Sequence, residues 1–243
     1  MIEQFLKKGF IHIKNTKPLS TNELKNIALK FGNIYIYPEN ANYKFIKDKS
    51  VATVSKKGMF EDSRLEWHKD MIHTIPWYAG TLLYCKKPSD EPTNFCYTLK
   101  SSLNDKKYRH GCFSGATGIG NDVYNNEAKI MDRLAKNPKL RERAKHLFTT
   151  HLLDERATKF NYYIDHPVTK EKCITASPAT MIIKSDERTS IINDLLNNNE
   201  QFSHNWNKYD VIIIDNYKLM HSRKSSPKNR KLVRINFNYD NIL

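Results

Sequence analysis

The spacing of apolar positions along the chain predicts a protein built mostly from β-strands. Stretches in which apolar and polar residues alternate, or in which β-branched residues follow one another, are typical of strands. Such stretches occupy residues 9–13, 34–37, 50–54, 81–85, 162–164, 173–175, 181–183, 211–214 and 230–238. The stretch 211–214 contains no polar residue, which indicates a buried strand.

Helical spacing is found in fewer places. Ser20 and Glu23 have the spacing of a capping box and open a predicted helix that runs through Phe31 and stops at Gly32. A short second helix is predicted over residues 190–197. The segment at about 99–153 is predicted to be an insert of helices and loops, with a helix break where a proline interrupts it.

The composition fits a folded chain with a buried core. The 243 residues are 39% hydrophobic and 27% charged, and no internal repeat or low-complexity linker divides them. We therefore expect one domain over residues 1–243. No apolar run approaches the length of a membrane span, and the first residues lack a signal-peptide pattern, so we expect a cytoplasmic protein without membrane contact.

The cysteines do not indicate a metal knuckle or a redox pair. No two of them form a CxxC motif, so buried free thiols are the expected state. The four cysteines are Cys85, Cys96, Cys112 and Cys173.

The formal net charge of +14 suggests a nucleic-acid partner as one hypothesis. The basic residues are spread along the chain, however, and no predicted helix carries a basic stripe interleaved with aromatics. A solvated basic surface is therefore favoured over a nucleic-acid interface, and attraction of small anions is a third interpretation. The sequence leaves open whether the protein forms a homo-oligomer.

The last predicted strand separates its residues into two faces. Val233, Ile235 and Phe237 lie on one face, whereas Arg230 and Arg234 lie on the other. Both arginines therefore point to the same, more polar side. A row of exposed arginines on an edge strand would give the same pattern.

Candidate metal ligands lie in two parts of the chain. On an extended segment, residues two apart point to the same side, so His68 and Asp70 can hold one metal ion while Lys69 points away. His221 is the best third candidate because it follows the predicted strand 211–214 after a turn. The other histidines have no comparable partner. Two imidazoles and one carboxylate form the facial triad that holds iron(II) and leaves coordination positions open.

The order of these motifs resembles the TauD/TfdA-like family of non-haem iron(II), 2-oxoglutarate-dependent oxygenases over nearly the whole chain. The matching segments are residues 9–11, 31–32, Trp67-His68-Lys69-Asp70, 80–84, 92–95, His166-Pro167-Val168-Thr169, 206–210, 215–216, 220–221 and 230–234. Residues 89–92 depart from the Gly-Gly-Asp that the family often has before its threonine. Residues 104–150 match only loosely, so the family's substrates are not carried over.

The resemblance implies a mainly β fold, a double-stranded β-helix (jelly-roll, cupin-like) core with flanking helices. It also implies that His68, Asp70 and His221 bind Fe(II). The cosubstrate 2-oxoglutarate would bind this ion through its 2-oxo acid end, and the second cosubstrate, O2, would bind the ion as well.

The resemblance also implies which residues bind the distal carboxylate of 2-oxoglutarate. Arg230 is expected to clamp the distal carboxylate, since a guanidinium forms bidentate, charge-assisted pairs with carboxylates. Thr93 is expected to hydrogen-bond the same group. Arg234 either shares the clamp or meets an acidic substrate.

The implied reaction is hydroxylation of an unactivated C–H bond, coupled to oxidative decarboxylation of 2-oxoglutarate to succinate and CO2. Related halogenases have a small residue where this chain has Asp70, so the resemblance disfavours halogenation and favours hydroxylation or desaturation. An amino acid or natural-product precursor is the favoured substrate, and a sulfonate, phosphonate or other small organic acid comes next. His73, Trp77 and Tyr78 are candidate substrate contacts. The alternatives are the same chemistry on a nucleic acid or other macromolecule, and a non-catalytic jelly-roll binding protein.

Overall fold

The computed structural model describes residues 1–37, 46–55, 65–70, 79–98, 110–111, 160–161, 163–174, 185–224 and 229–239. These residues form the helices α1 (Ile2–Lys8), α2 (Thr21–Leu29) and α3 (Ser185–Asn198). They also form the strands β1 (Phe10–Ile13), β2 (Asn33–Ile34), β3 (Ile46–Asp48), β4 (Val51–Ser55), β5 (Leu65–His68), β6 (Gly80–Lys87), β7 (Thr93–Tyr97), β8 (His110–Gly111), β9 (Phe160–Asn161), β10 (Tyr163–Asp165), β11 (Lys172–Ile174), β12 (Gln201–His204), β13 (Val211–Asp215), β14 (Leu219–Arg223) and β15 (Lys231–Asn238).

Two antiparallel sheets make up the body of the described structure. The larger sheet has the order β1-β13-β6-β15-β4-β3, with β2 paired to β15, and the smaller sheet has the order β12-β7-β14-β5. The pairs β10-β11 and β8-β9 form two further ribbons. The predicted mainly β fold with flanking helices is confirmed.

The larger sheet is buried on both faces. One face packs against α1 and α2 through residues that include Phe5, Leu24, Ala28, Phe31, Ile213, Val233, Ile235 and Phe237. The other face packs against the smaller sheet through Leu83, Cys85, Phe95, Trp206, Ile212, Ile214, Leu219 and Leu232. Strand β13 contributes alternate residues to both clusters, which explains why its sequence has no polar position before Asp215.

Helix α2 begins as its sequence predicts. The side chain of Ser20 accepts a hydrogen bond from the backbone N–H of Glu23, and the carboxylate of Glu23 accepts one from the backbone N–H of Ser20. The helix ends at Leu29, two residues before its predicted end at Phe31. The N–H of Phe31 donates to the carbonyl of Ala28 instead, which tightens the last turn.

Several strands differ from the sequence prediction. The predicted strand 34–37 is reduced to β2, because the N–H groups of Tyr35 and Tyr37 donate to two different segments, the carbonyls of Asn236 and Lys49. The sequence did not predict that β7, β12 and β14 are strands. The predicted strand 181–183 and most of the insert at 99–153 lie outside the described residues.

None of the three described helices is long and apolar enough to cross a membrane.

Candidate metal centre and anion pocket

Neighbouring strands of the smaller sheet bring two histidines together. Strands β5 and β14 pair antiparallel, with His68 directly opposite His221. The two imidazole rings lie with their centroids 4.2 Å apart. The sequence separates these residues by more than half the chain, and the strand register brings them into contact.

Asp70 lies beside both rings. Its Oδ1 is 3.9 Å from Nε2 of His68 and 4.0 Å from Nε2 of His221. One ligand atom from each of the three residues falls within 4.8 Å of the others. Two imidazole nitrogens and one carboxylate oxygen therefore converge on one point.

Asp70 is held by polar contacts on several sides. Its N–H donates to Oδ1 of Asn216 at 3.0 Å, and Nδ2 of Asn216 donates to its carbonyl oxygen. The hydroxyl of Thr81 donates to Oδ2 of Asp70 at 3.3 Å, and Nη1 of Arg234 lies 3.4 Å from Oδ1. The main chain and side chain of Asp70 are thus both fixed.

The electrostatics of the three groups favour metal binding. Burial lowers the pKa of His68, and burial together with nearby His68 lowers the pKa of His221 to about 3, so both imidazoles are neutral at pH 7. Burial by itself raises the pKa of Asp70, but Arg234 and the two histidines outweigh it, so the pKa is lowered and the carboxylate is ionised.

The hydrogen bond of His68 leaves its Nε2 available to a metal ion. Nδ1 of His68 donates to the carbonyl of Glu66 at 2.7 Å, which places the lone pair of the neutral ring on Nε2, the atom that faces Asp70. Nδ1 of His221 is buried without a hydrogen-bond partner in the part of the chain that the structure describes. These residues fit a divalent ion that prefers two nitrogens and one oxygen.

Lys69, between the two ligands of the HxD motif, is buried and bonded elsewhere. Its Nζ donates to Oγ1 of Thr98 at 2.8 Å and to the carbonyls of Ile174 and Tyr217 at 2.7 and 2.6 Å. Burial lowers the pKa of this lysine to about 8. The ammonium therefore ties the motif to β11 and to the turn after β13.

The turn between β13 and β14 connects several parts of the structure. Asp215 accepts a hydrogen bond from Nε2 of His166 at 2.9 Å and Asn216 binds Asp70. Lys218 donates from Nζ to the carbonyl of Leu6 at 2.5 Å and to Glu171. The turn thus contacts α1, the β10–β11 hairpin and the metal-ligand segment. We name residues 215–218 the hub turn.

A cationic pocket lies beside the candidate metal ligands. Arg230 is 6% exposed, and its Nη1 donates to Oγ1 of Thr93 at 3.3 Å. The indole Nε1 of Trp206 donates to the same oxygen at 2.9 Å. Because the Thr93 oxygen accepts both of these bonds, its own O–H remains to donate to a further acceptor.

The two predicted arginines have different surroundings. Arg234 contacts Asp70 and lies 3.5 Å from the hydroxyl of Tyr37, whereas Arg230 forms no ion pair with any carboxylate of the described segments. Burial and the nearby Arg223 lower the pKa of Arg230 to about 10, so the guanidinium stays charged at pH 7. Among the described residues, Glu91 is a nearby negative charge but forms no ion pair with Arg230, so the buried guanidinium favours a further anion.

One cavity between the two sheets contains all six central candidates. Its lining includes His68, Asp70, Thr93, His221, Arg230 and Arg234. Strand β15 lies between β6 and β4. Arg234 comes from this central strand, Arg230 directly precedes it, and both side chains are buried. The alternative of an exposed arginine row on an edge strand is therefore wrong.

Some predicted site residues lie outside the described structure, and some site residues of the structure were not predicted. His73, Trp77 and Tyr78 lie outside the described residues. The sequence did not indicate a role in the site for Tyr37, Thr81, Trp206 or Arg223. Arg223 also lines the cavity, and its position two residues after His221 on one strand face is the signal that could have identified it.

The expectation that the other histidines have no comparable partner is wrong for His12, His166 and His204. His166 is fully buried and bonded to Asp215, and its Nδ1 accepts from the N–H groups of Val168 and Thr169. His12 and His204 both lie beside Asp210. The strand pairings that bring these residues together span up to about 200 positions, which no local pattern reveals.

The fold is similar to that of solved iron-dependent oxygenases. PvcB from Pseudomonas aeruginosa matches with a TM-score of 0.58 and 14% identity over 97% of this chain and 77% of that chain. Another structure describes PvcB as an Fe, alpha-ketoglutarate dependent oxygenase from an isonitrile synthetic pathway.

Two further structures extend the comparison. The non-heme iron oxygenase OrfP, in complex with Fe, succinate and (3S)-hydroxy-L-Arg, matches with a TM-score of 0.64 and 14% identity over 98% of this chain and 81% of that chain. AAD-2, in complex with Mn(II) and N-oxalylglycine, matches with a TM-score of 0.61 and 16% identity over 96% of this chain and 86% of that chain. At these identities the similarity establishes the fold, and the predicted jelly-roll core is confirmed.

No protein-family model matches the sequence, and no curated protein does.

Proposed function

We propose that this chain is an iron(II)- and 2-oxoglutarate-dependent oxygenase of the TauD/TfdA-like family that hydroxylates a small molecule. The observation that carries the proposal is that one cavity holds both a two-histidine, one-carboxylate cluster and a buried arginine without a carboxylate partner among the described residues. The shared fold with iron- and α-ketoglutarate-dependent oxygenases supports it.

His68, Asp70 and His221 would hold Fe(II). With both imidazoles neutral and the carboxylate ionised, the three groups supply two nitrogens and one negative oxygen and cover one face of an octahedral ion. When bound, the iron would supply O2 activation, so that 2-oxoglutarate, O2 and a C–H bond give succinate, CO2 and an alcohol.

Arg230 and Thr93 would bind the distal carboxylate of 2-oxoglutarate. The charged guanidinium offers paired N–H donors, and the Thr93 O–H is available to donate because its oxygen already accepts from Arg230 and Trp206. Arg234 is engaged with Asp70 and would keep that carboxylate oriented and ionised. The two arginines would therefore have separate roles.

The substrate is proposed to be an amino acid or a natural-product precursor. The cavity lies between two sheets and is lined by Leu65, Leu83 and Val54 as well as by the charged groups, which suits a small molecule with both apolar and polar parts. The OrfP complex with (3S)-hydroxy-L-Arg and the PvcB pathway supply the substrate classes to screen first.

Anaerobic visible spectroscopy of the Fe(II)-loaded protein tests the proposal. Adding 2-oxoglutarate should produce a weak metal-to-ligand charge-transfer band, whereas adding succinate should not, because succinate lacks the 2-oxo group that chelates the metal. Succinate release in air with a panel of amino acids then identifies the substrate. A folded, iron-loaded protein that gives no band with 2-oxoglutarate would refute the cosubstrate assignment.

Asn216→Ala should weaken Fe(II) binding by about 10- to 100-fold while leaving the chain folded, because loss of partners that orient a ligand typically has this effect. The variant removes two hydrogen bonds to the main chain of Asp70 but no metal ligand. Fe(II) affinity is measured anaerobically by calorimetry, and folding by circular dichroism.

Asn198→Ala is the matched control for this prediction. The Asn198 amide is exposed and donates to the carbonyl of Asp194 within α3, away from the cavity, so its removal should leave Fe(II) affinity unchanged. Equal affinities in the Asn216→Ala and parent proteins would show that Asn216 does not position Asp70.

A further inference from the structure

A second cluster of metal-ligand side chains lies away from the cavity. Nε2 of His12 is 3.1 Å from Oδ1 of Asp210, and Nε2 of His204 is 3.6 Å from Oδ2 of the same carboxylate. The imidazole rings are 4.6 Å apart between centroids. One ligand atom from each residue lies within 4.8 Å of the others.

Both imidazoles point an unsatisfied atom at the centre of this cluster. Nε2 of His12 and Nε2 of His204 are buried and lie beside Asp210, but neither makes a hydrogen bond of acceptable geometry with any residue that the structure describes. The side chain of His204 is 7% exposed and that of Asp210 is 2% exposed. Buried polar atoms without partners are rare in native proteins and need an explanation such as a bound ion.

The spacing fits a four-coordinate ion. Zn²⁺ binds imidazole nitrogens and carboxylate oxygens at about 2.0–2.2 Å, which in a tetrahedron separates neighbouring ligand atoms by about 3.3–3.6 Å. The Nε2 atoms of His12 and His204 lie 3.1 and 3.6 Å from the two different oxygens of Asp210, and one ligand atom from each of the three residues lies within 4.8 Å of the others. Two histidines and one carboxylate leave a fourth position for water.

The carboxylate of Asp210 is already oriented by its neighbours. The N–H of Asn207 donates to its Oδ2 at 2.9 Å, and Nδ2 of Asn207 lies 3.3 Å from the same oxygen. The ring of Trp206 packs edge-on against His204 at 4.7 Å. Supporting contacts of this kind are typical of metal sites, where they fix the ligands before the ion binds.

The position of the cluster suggests what an ion there would do. His12 lies in β1 and His204 in β12, and each of these strands forms an edge of its sheet. Asp210 directly precedes β13, the strand paired with β1. An ion bound by all three residues would join the edges of the two sheets, where backbone pairing ends.

We propose that His12, His204 and Asp210 bind a Zn²⁺ ion that stabilises the contact between the two sheet edges. The site shares no residue with the cavity of His68 and His221 and does not depend on the proposed oxygenase activity. A plain ion pair between His12 and Asp210 is the competing explanation, and it predicts no saturable metal binding.

The test uses the full chain with His221→Ala, which disables the first cluster. Titration with Co²⁺ should give one equivalent of bound metal with the intense visible bands of four-coordinate Co²⁺, and Zn²⁺ should abolish these bands by displacing the cobalt. Adding His204→Gln or His12→Gln to this protein should weaken Co²⁺ binding by at least about 100-fold, since a ligand is lost. Zn²⁺ should raise the Tm of the His221→Ala protein and not that of the double variants.

Ser203→Ala, beside His204 in β12, is the control and should leave Co²⁺ binding intact. Absence of saturable Co²⁺ binding in the His221→Ala protein, or binding that His204→Gln and His12→Gln leave unchanged, would overturn the proposal. If His204→Gln does not fold, His12→Gln decides, because His12 is 23% exposed and tolerates a polar replacement better.

Discussion

Replacing His68, Asp70 or His221 by alanine should abolish 2-oxoglutarate-dependent succinate formation and weaken Fe(II) binding by more than about 100-fold. Each substitution removes one of three converging ligand atoms and leaves an incomplete face. Fe(II) affinity is measured by anaerobic calorimetry, and succinate by chromatography. His221→Ala is the cleanest of the three variants, since removal of Asp70 also deprives Arg234 of its carboxylate partner.

Asp165→Ala provides the matched control for Asp70→Ala. Asp165 is an exposed carboxylate in β10 that pairs with Lys172, and its loss should change neither iron affinity nor succinate formation. Circular dichroism separates loss of a ligand from loss of the fold. Unchanged Fe(II) affinity in folded His68→Ala and His221→Ala proteins would rule out this cluster as the iron site.

Arg230→Ala should raise the dissociation constant for 2-oxoglutarate by about 10- to 100-fold and leave iron in place, since a hydrogen bond to a charged group contributes about 1.5–3 kcal/mol. Arg230 is buried, charged and bonded to Thr93, and within the described chain it has no carboxylate partner. The charge-transfer band of the Fe(II) protein, titrated with 2-oxoglutarate without O2, gives the constant.

Two further variants sharpen this test. Lys231→Ala removes the exposed cation next in sequence and should not affect 2-oxoglutarate binding. Arg230→Lys keeps the charge but loses the paired donors, so its affinity should fall between those of the parent and Arg230→Ala. If Arg230→Ala leaves the constant unchanged while Arg234→Ala raises it, Arg234 is the clamp.

The sequence predicted those parts of the fold in which local pattern and tertiary environment agree. The run 211–214 is a strand buried on both faces, and the alternation in the last strand separates Val233 and Ile235 from the two arginines as expected. The capping box at Ser20 forms as predicted. Each of these features is determined by residues a few positions apart, and for this reason a single sequence contains the signal.

The parts that the sequence did not predict depend on contacts between distant segments. Strand β7 lacks an unambiguous pattern because it is short and mixes polar with apolar residues, and its pairing with β12 and β14 makes it a strand. The same holds for the site. The HxD spacing suggested His68 and Asp70, whereas the bond from Trp206 to Thr93 joins residues 113 positions apart.

The hub turn connects the candidate metal centre to distant segments of the chain. Because Asn216 holds Asp70 while Lys218 binds the carbonyl of Leu6 and Asp215 binds His166, the first helix and the β10–β11 hairpin both restrict where the carboxylate can be. Loosening either support would broaden the distribution of Asp70 positions. The ion would then have to order Asp70 on binding. The conformational entropy lost in that step would make the binding free energy less favourable and lower the affinity.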